Sequence, residues 1–281
     1  MTKRLRRVAC IAALSLVAGA SPAAASVTIG QLAPGTPTGF ADPSGTLDVA
    51  QPSVTSGNSY AAPGLGTITS WSHNAAAGAG QIMTFKVFRQ VTGSTYTVIG
   101  HDGPRTLTGS TVNAFPANIG VKPGDIIGLS FSVAPPAKAW FFMVPGDAFI
   151  ERNGNLADGQ SGSFIPNPDR RLNVTAVFVP TNVFTLRGVN PHRKKGTATL
   201  KVSVPNPGEL VLSGNGVKGV GATRAVAVTT PGIVRLPIRA KGKKRETLNE
   251  TGRVRVKLKV TYTPTGGDPS TQSRKLKLRK L

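Results

Sequence analysis

Short runs of β-branched and aromatic residues alternate with glycine- and proline-containing turns along nearly all of this chain. The 281 residues include 33 glycines and 22 prolines, and no window shows the sustained apolar repeat of an amphipathic helix. Strands separated by a turn every eight to twelve residues are typical of sandwiches and barrels. The sequence therefore predicts an all-β fold with little or no long helix.

The first 25 residues have the composition of a secretory signal peptide. A basic segment from Lys3 to Arg7 precedes an apolar segment from Val8 to Ala20, and small residues up to Ala25 provide a cleavage site. The apolar segment is shorter than the roughly 20 residues that cross a bilayer. We expect a mature chain that begins near Ser26 and is secreted, by the general route or, given Arg6-Arg7, by the twin-arginine route.

The single cysteine, Cys10, lies inside that leader, ahead of the position at which a lipoprotein cysteine would stand. The mature chain then has no thiol, and its fold has to be stable without disulfides. About 255 mature residues are enough for two domains.

Charge divides the mature chain in two. Residues 26–180 carry eight Lys or Arg and eight Asp or Glu, a net charge of zero, whereas residues 181–281 carry 22 and 4, a net charge of +18. Pro180-Thr181-Asn182 stands where the balance changes. We predict a boundary there, between an N-terminal half (residues 26–180) and a C-terminal half (residues 181–281).

Within the N-terminal half, runs at 82–89 and 96–99 flank Thr92-Gly93-Ser94, which predicts a hairpin. The run 139–144 is apolar without alternation, which predicts a strand in the middle of a sheet with both faces covered. A last strand at 174–179 is expected to close this domain.

The C-terminal half has a plain two-residue period. Some seven alternating runs in about a hundred residues favour an immunoglobulin-like β-sandwich, without the cysteine pair or tryptophan of antibody domains.

Two segments of the N-terminal half resemble known proteins. The segments 67–72 (TITSWS) and 121–129 (VKPGDIIGL) are similar to the jelly-roll-like domains of uncharacterised secreted actinobacterial proteins. The segment 204–217 (VPNPGELVLSGNGV) resembles their C-terminal immunoglobulin-like domains. The resemblance implies a jelly-roll-like β-sandwich followed by an immunoglobulin-like one, and it implies no catalytic residues. By itself Lys122-Pro-Gly-Asp125 predicts a type II turn with Asp125 as its capping carboxylate.

Enzymatic sites find little support in the residues. Glycosidases need two facing carboxylates, yet Glu151 is the only glutamate before residue 180 and the aspartates stand in turns. The Gly-x-Ser-x-Gly nucleophile motif is absent. The three histidines, His73, His101 and His192, are expected in turns or on the surface. We predict no catalytic, cofactor-binding or metal-binding residues, with two alternatives left open: a hydrolase with an unrecognised carboxylate pair, and a calcium ion in the oxygen-rich segment 151–159.

Carbohydrate binding by the N-terminal half would need an exposed aromatic platform. Trp71, Tyr60 and Tyr96 are the candidates, while Trp140 lies in an apolar run and is expected in the core. This glycan-binding alternative remains open beside the reading in which all these rings are buried.

Basic residues in the C-terminal half are the strongest functional signal. Because side chains alternate along a strand, two runs each place their cations on one face. These cations are Arg253, Arg255, Lys257 and Lys259 in the first run and Lys275, Lys277 and Arg279 in the second; the segment from Lys241 to Arg245, with Lys243, Lys244 and Arg245, adds a basic loop.

If the two basic strands pair, cation faces cation, which is unfavourable unless anions lie nearby. The alternative is that these cations only keep the protein soluble and protect the sheet edges from pairing with other chains. We expect a secreted, non-enzymatic, envelope-associated protein whose C-terminal half contacts anionic cell-envelope polymers or phospholipid headgroups. Nucleic acid is not expected, because no exposed aromatics are interleaved with the cations.

Overall fold

The computed structural model describes residues 25–37, 45–131, 138–219 and 225–281, with the backbone alone for 140–143. The predicted leader, except Ala25, lies outside these residues. Strands make up most of the described chain, and its one α-helix has nine residues. The prediction of an all-β sandwich fold is confirmed.

The N-terminal half is built from strands in antiparallel sheets. The strands are β1 (Val27–Gln31), β2 (Leu47–Ser53), β3 (Gly66–Asn74), β4 (Ile82–Thr92), β5 (Thr95–Thr106), β6 (Val112–Val121), β7 (Ile126–Phe131), β8 (Trp140–Met143), β9 (Ala148–Asn153), β10 (Ser161–Ser163), β11 (Ile165–Pro166), β12 (Arg170–Leu172) and β13 (Val174–Pro180). One sheet has the order β1-β13-β3-β6 and a larger one the order β10-β5-β4-β7-β2-β9-β11.

The core of this half lies between these two sheets. Ile68, Trp71 and Phe178 from the smaller sheet pack in one cluster with Phe85 and Leu129 from the larger sheet. The opposite face of the larger sheet carries a second cluster, in which Phe88 and Val98 pack under Leu156 and Phe164 of the segment that follows β9. Both faces of β4 are therefore covered, which is why few of its residues alternate with polar ones.

Local turn predictions are confirmed in two places. β4 and β5 form the predicted hairpin, and Gly93 in its turn has φ +50°. Gly124 has φ +86° in the turn before β7, and the buried Asp125 carboxylate accepts the backbone N–H of Lys122 at 2.6 Å. Asp125 caps this turn as expected. It also binds Arg89 through two hydrogen bonds of 2.7 Å, which the sequence did not indicate.

The expectation for 139–144 is wrong in its placement. The segment does form a strand, β8, but this strand pairs with β12 in a two-stranded sheet instead of lying in the middle of a large one. An apolar run specifies burial, and burial can come from neighbouring layers as well as from flanking strands. The side chains of 140–143, including the Trp140 ring expected in the core, lie outside the described residues.

The C-terminal half has two further sheets and a helix. Its elements are β14 (Thr185–His192), β15 (Thr197–Val204), β16 (Gly208–Asn215), β17 (Val226–Val228), β18 (Gly232–Ile238), α1 (Lys243–Thr251), β19 (Arg253–Pro264) and β20 (Ser270–Arg279). The sheets have the orders β14-β15-β18 and β17-β16-β19-β20, and apolar residues of both form one core together with Leu248 of α1.

A polar junction connects the two halves. The buried Asn206, in the turn between β15 and β16, accepts the N–H of Leu65 at 2.7 Å and donates to the carbonyls of Leu65 (2.8 Å) and Thr181 (3.1 Å). The Tyr262 hydroxyl in turn donates to the Asn206 carbonyl at 2.7 Å. One asparagine therefore ties the β15–β16 turn to the N-terminal half. Among the described residues, no helix is long and apolar enough to cross a membrane.

Candidate functional site

Strands β19 and β20 separate apolar from basic side chains with a strict two-residue period. In β19, the buried residues Val254, Val256 and Leu258 face the core, and a cation lies between each of them and the next. Successive side chains of a strand point to opposite faces, so every one of those cations points to solvent.

The pairing of β19 with β20 brings the two basic runs directly opposite each other. The opposed pairs are Arg253 with Arg279, Arg255 with Lys277, and Lys257 with Lys275, while Lys259 lies opposite Ser273. All seven predicted cations are exposed and lie on one face of the sheet. We call these seven residues the cation ladder. Ladder side chains that oppose each other across the two strands are about 5 Å apart, and successive ladder side chains along one strand are about 7 Å apart.

A shallow cleft lies over the middle of the cation ladder. Its volume is about 600 Å³, and its lining includes Val256 and Leu276, the strand residues that stand between the cations and whose side chains face the core. The basic residues that line it are Lys244, Arg255, Lys257, Lys275 and Lys277, and Asn215 at the end of β16 supplies an amide. None of the described residues that line the cleft is acidic.

The ladder is not neutralised by neighbouring carboxylates. Each ion pair found in the described part of the chain joins residues of the N-terminal half. The four acids of the C-terminal half, Glu209, Glu246, Glu250 and Asp268, make no salt bridge to any described residue. Positive charge is therefore concentrated on this surface.

The predicted basic loop at 241–245 is wrong in its local structure from Lys243 onward. Lys243, Lys244 and Arg245 form the first turn of α1, which Leu248 anchors to the core. Lys244 reaches the cleft because Gly216, the residue after β16, has φ +74° and lacks a side chain, which leaves the space that Lys244 occupies. The two neighbouring basic residues of the predicted loop do not line this cleft; Arg245 lines another depression.

A second basic surface was missed by the sequence analysis. A depression of about 450 Å³ is lined by Arg193, Lys194 and Lys195 of a short 3-10 helix and by Arg239, which follows β18. A smaller one of about 240 Å³ shares Lys195 and Arg239 and adds Lys218 and Arg245. The run 193–195 was visible in the sequence, but its proximity to Arg239 depends on the pairing of β15 with β18.

Trp71, Tyr60 and Tyr96 do not form the exposed aromatic platform that glycan binding would need. Trp71 and Tyr60 are 0 % and 1 % exposed, and Tyr96 is 7 % exposed. The Trp71 ring stacks on Phe85 with centroids 5.4 Å apart, and its indole N–H donates to Asp102 at 2.7 Å. The Tyr60 hydroxyl donates to the carbonyl of Leu172. None of the three rings presents a face to a glycan, because each is packed in the core.

One histidine was also misplaced by the sequence analysis. His73 lies in β3 and is fully buried, with Nδ1 2.6 Å from the Asn173 carbonyl oxygen. Burial lowers its pKa to about 4, because the charged ring would lose its hydration. His101 and His192 are exposed as expected, and His101 pairs with Asp158 at 2.8 Å.

The carboxylates described in the N-terminal half are each held by a donor of the fold. The pairs are Asp48 with Lys86, Asp102 with Arg105, Asp125 with Arg89, Asp147 with Arg171, Glu151 with Asn167, Asp158 with His101, and Asp169 with the N–H of Gly146. The Arg105 guanidinium holds the pKa of Asp102 below its usual range. Burial raises the pKa of Asp147, but hydrogen bonds from Arg171 and Thr55 outweigh it and leave this pKa lowered. With their lowered pKa values, Asp102 and Asp147 stay ionised, unlike the proton donor of a glycosidase.

The oxygen-rich segment 151–159 surrounds an ammonium group. Lys86 Nζ donates to Asn155 Oδ1 at 2.6 Å and to the Leu156 carbonyl at 2.7 Å. Lys86 is 2 % exposed and also binds the buried Asp48 at 2.6 Å. Two oxygens of the segment considered as a calcium site thus accept hydrogen bonds from a lysine instead. No cluster of three His, Cys, Asp or Glu side chains that could hold a metal occurs among the described residues.

Comparison with known protein families and with curated proteins gave no match.

Proposed function

We propose that this protein is a secreted, non-enzymatic binding protein whose C-terminal half attaches to anionic polymers of the cell envelope or to phospholipid headgroups. The cation ladder and its cleft would make the contact. The attachment would rest on counter-charge association, in which mobile counterions leave both partners and added salt weakens binding.

The observation that carries this proposal is the register of β19 against β20. Three pairs of cations face each other across the strands, an arrangement that costs some tenths of a kcal/mol per pair in the free protein. Solubility alone would be served equally well by the same charges spread over the surface. The negative charges of an anionic polymer lying along the ladder would offset this repulsion by attracting the cations.

The architecture that we propose for the two halves agrees with their strand orders. Apart from the strands of four residues or fewer, the described part of the N-terminal half has nine strands in the orders β1-β13-β3-β6 and β5-β4-β7-β2-β9, and two facing antiparallel sheets of this kind fit a jelly-roll-like sandwich. The C-terminal half has three strands facing four, which fits an immunoglobulin-like sandwich. Secretion would follow from the leader in residues 1–25, with the domain boundary near Pro180.

The test is binding of the purified protein to isolated cell envelope, with anionic and neutral phospholipid vesicles as separate arms. We expect binding at low salt that weakens steeply as salt is raised. The triple variant Arg255→Gln, Lys257→Gln, Lys277→Gln should bind about 3-fold to 150-fold more weakly, since each exposed ionic contact contributes about 0.2 to 1 kcal/mol.

A matched control separates the ladder from net charge. Arg193→Gln, Lys194→Gln, Lys195→Gln removes the same three charges from the same half, outside the cleft over the ladder. It should bind more tightly than the ladder variant. Equal losses in both variants, or binding that salt does not weaken, would refute the proposal.

A further inference from the structure

Lys86 is a buried amine in contact with a carboxylate and a carboxamide. It lies in the middle of β4, and its Nζ is 2.6 Å from Asp48 Oδ1 and 2.6 Å from Asn155 Oδ1. A carbonyl bond is about 1.23 Å long, so Nζ is at most about 3.8 Å from the Asn155 Cγ atom. This approaches the separation of about 3 to 3.5 Å from which bonds form in oriented pairs. We propose that Lys86 and Asn155 become joined by an amide bond, formed by the protein itself with Asp48 as the proton-transfer group.

The order of the strands brings Lys86 close to Asp48. Lys86 pairs with Gly128 on β7, and Ser130, two residues further on, pairs with Asp48 on β2. The lysine therefore reaches diagonally across β7, over a residue without a side chain. A Cβ at Gly128 would lie 2.7 Å from a ring carbon of Phe88 on that crowded face. Asn155 approaches from the segment that covers this face after β9.

The surroundings make the Lys86 ammonium easier to deprotonate. Lys86 and Asp48 are 2 % and 0 % exposed. Burial lowers the pKa of the Lys86 ammonium, which the hydrogen bond from Lys86 to Asp48 only partly offsets. The Asp48 carboxylate is oriented by the N–H of Leu156, which it accepts through Oδ2 at 2.8 Å. The other oxygen is thus directed at the ammonium, as a base for one of its protons.

The carboxamide is held as an electrophile with an open path for its leaving group. The Ser130 hydroxyl donates to Asn155 Oδ1 at 3.4 Å, where negative charge would develop during attack. Asn155 is itself an exposed residue. A small cavity of about 200 Å³ adjoins it and Lys86, so ammonia can leave.

The reaction balances without an oxidant or a cofactor. Asp48 takes a proton from the Lys86 ammonium, and the amine attacks Asn155 Cγ to give a tetrahedral intermediate. The Cγ–Nδ2 bond then breaks. Of the two protons that leave Nζ, one goes to Nδ2, so that ammonia departs, and the other departs with it as ammonium. The product is a secondary amide between Nζ and Cγ.

Such a bond would give this chain a covalent brace that needs no thiols. Cys10 is the only cysteine, so no disulfide can form within the chain. The amide would fasten the segment after β9 to the centre of β4 and keep the second apolar cluster covered.

The decisive measurement is the mass of the intact, denatured full chain, referred to the N-terminus actually found, followed by peptide mapping. We expect a mass below that of the sequence by one ammonia, and a branched peptide that joins Lys86 to Asn155. Lys86→Arg, which keeps the charge, and Asp48→Asn, which removes the base, should both restore the full mass. Lys122→Arg, at an exposed lysine, should keep the deficit.

Ring closure at Asn153-Gly154 would also expel ammonia, and the peptide map distinguishes the two products. A wild-type chain at its full sequence mass overturns the proposal, as does a deficit accompanied by a linear peptide containing Lys86. Because the wild-type chain decides the matter, poor folding of a variant leaves the result intact.

Discussion

Individual polar residues in the N-terminal half have partners far away in the sequence. The Trp71 indole donates to Asp102, 31 positions away, and Asn173 accepts the N–H of Ala33 at 2.9 Å across 140 positions. A sequence shows that an aspartate stands in a turn, but the identity of its donor depends on which strands become neighbours. Hence Asp125 was correctly predicted as a capping residue, whereas its pairing with Arg89 was not foreseen.

His73 makes a prediction about acid stability. Its pKa is lowered by burial to about 4, and in the unfolded chain it returns to 6.5. Between these values the unfolded chain binds a proton that the folded chain does not. The free energy of unfolding should therefore be flat above about pH 6.5 with respect to this group, and fall by about 3 kcal/mol between pH 6.5 and 4.

Urea titrations at several pH values check this. His73→Gln should remove most of the slope in that window, and His192→Gln, at an exposed ring whose Nε2 lies 3.0 Å from the neutral Thr199 hydroxyl, should leave it. A His73→Gln protein with the wild-type slope would contradict the assignment. Below pH 4 the lowered pKa values of Asp102 and Asp147 should cause a separate loss of stability.

At the scale of secondary-structure elements, the periodicity of apolar residues was enough to predict β19 and β20, but it did not predict which strands lie beside β8. A two-residue alternation of apolar and polar side chains has one structural interpretation, because only a strand with one solvent-exposed face produces it. The uninterrupted apolar run at 139–144 predicted the strand correctly and its neighbours incorrectly. Similarly, the basic residues 243–245 were visible, but their helical conformation depends on Leu248 finding a place in the core.

The cation ladder makes opposite predictions for stability and binding. Lys277→Glu would put a carboxylate opposite Arg255 and replace a repulsive pair by an attractive one. We expect the variant to be more stable to urea by about 0.2 to 1 kcal/mol. It should nevertheless bind isolated envelope more weakly than the wild-type protein.

Lys194→Glu is the matched control, because it makes the same charge change at an exposed residue outside the ladder. It should leave the urea midpoint nearly unchanged. If Lys277→Glu lowered stability, the strand register would not be imposing the repulsion that we describe.

For the whole molecule, the junction at Asn206 decides whether the two halves respond together. The side chain makes three hydrogen bonds to Leu65 and Thr181 and is buried. Asn206→Ala would leave the Leu65 backbone groups without this partner, at a cost of about 1 to 3 kcal/mol. Calorimetry should then show the thermal transitions of the halves moving apart, with faster proteolysis near residues 181–183.

The exposed Asn190, whose side chain makes no hydrogen bond to a described residue, provides the comparison. Asn190→Ala should leave the calorimetric profile as it is in the wild-type protein. A profile equally unaffected by Asn206→Ala would show that the junction does not couple the halves.

The sequence by itself determined the fold class, several turns and the face on which seven cations lie, because side-chain alternation and turn chemistry are local properties of the backbone. Only the tertiary structure decided the cleft with Lys244, the burial of Trp71, Tyr60, Tyr96 and His73, and the meeting of Lys86 with Asp48 and Asn155. These depend on which strands lie side by side. Strand order is set by the packing of the whole core, which no local pattern encodes.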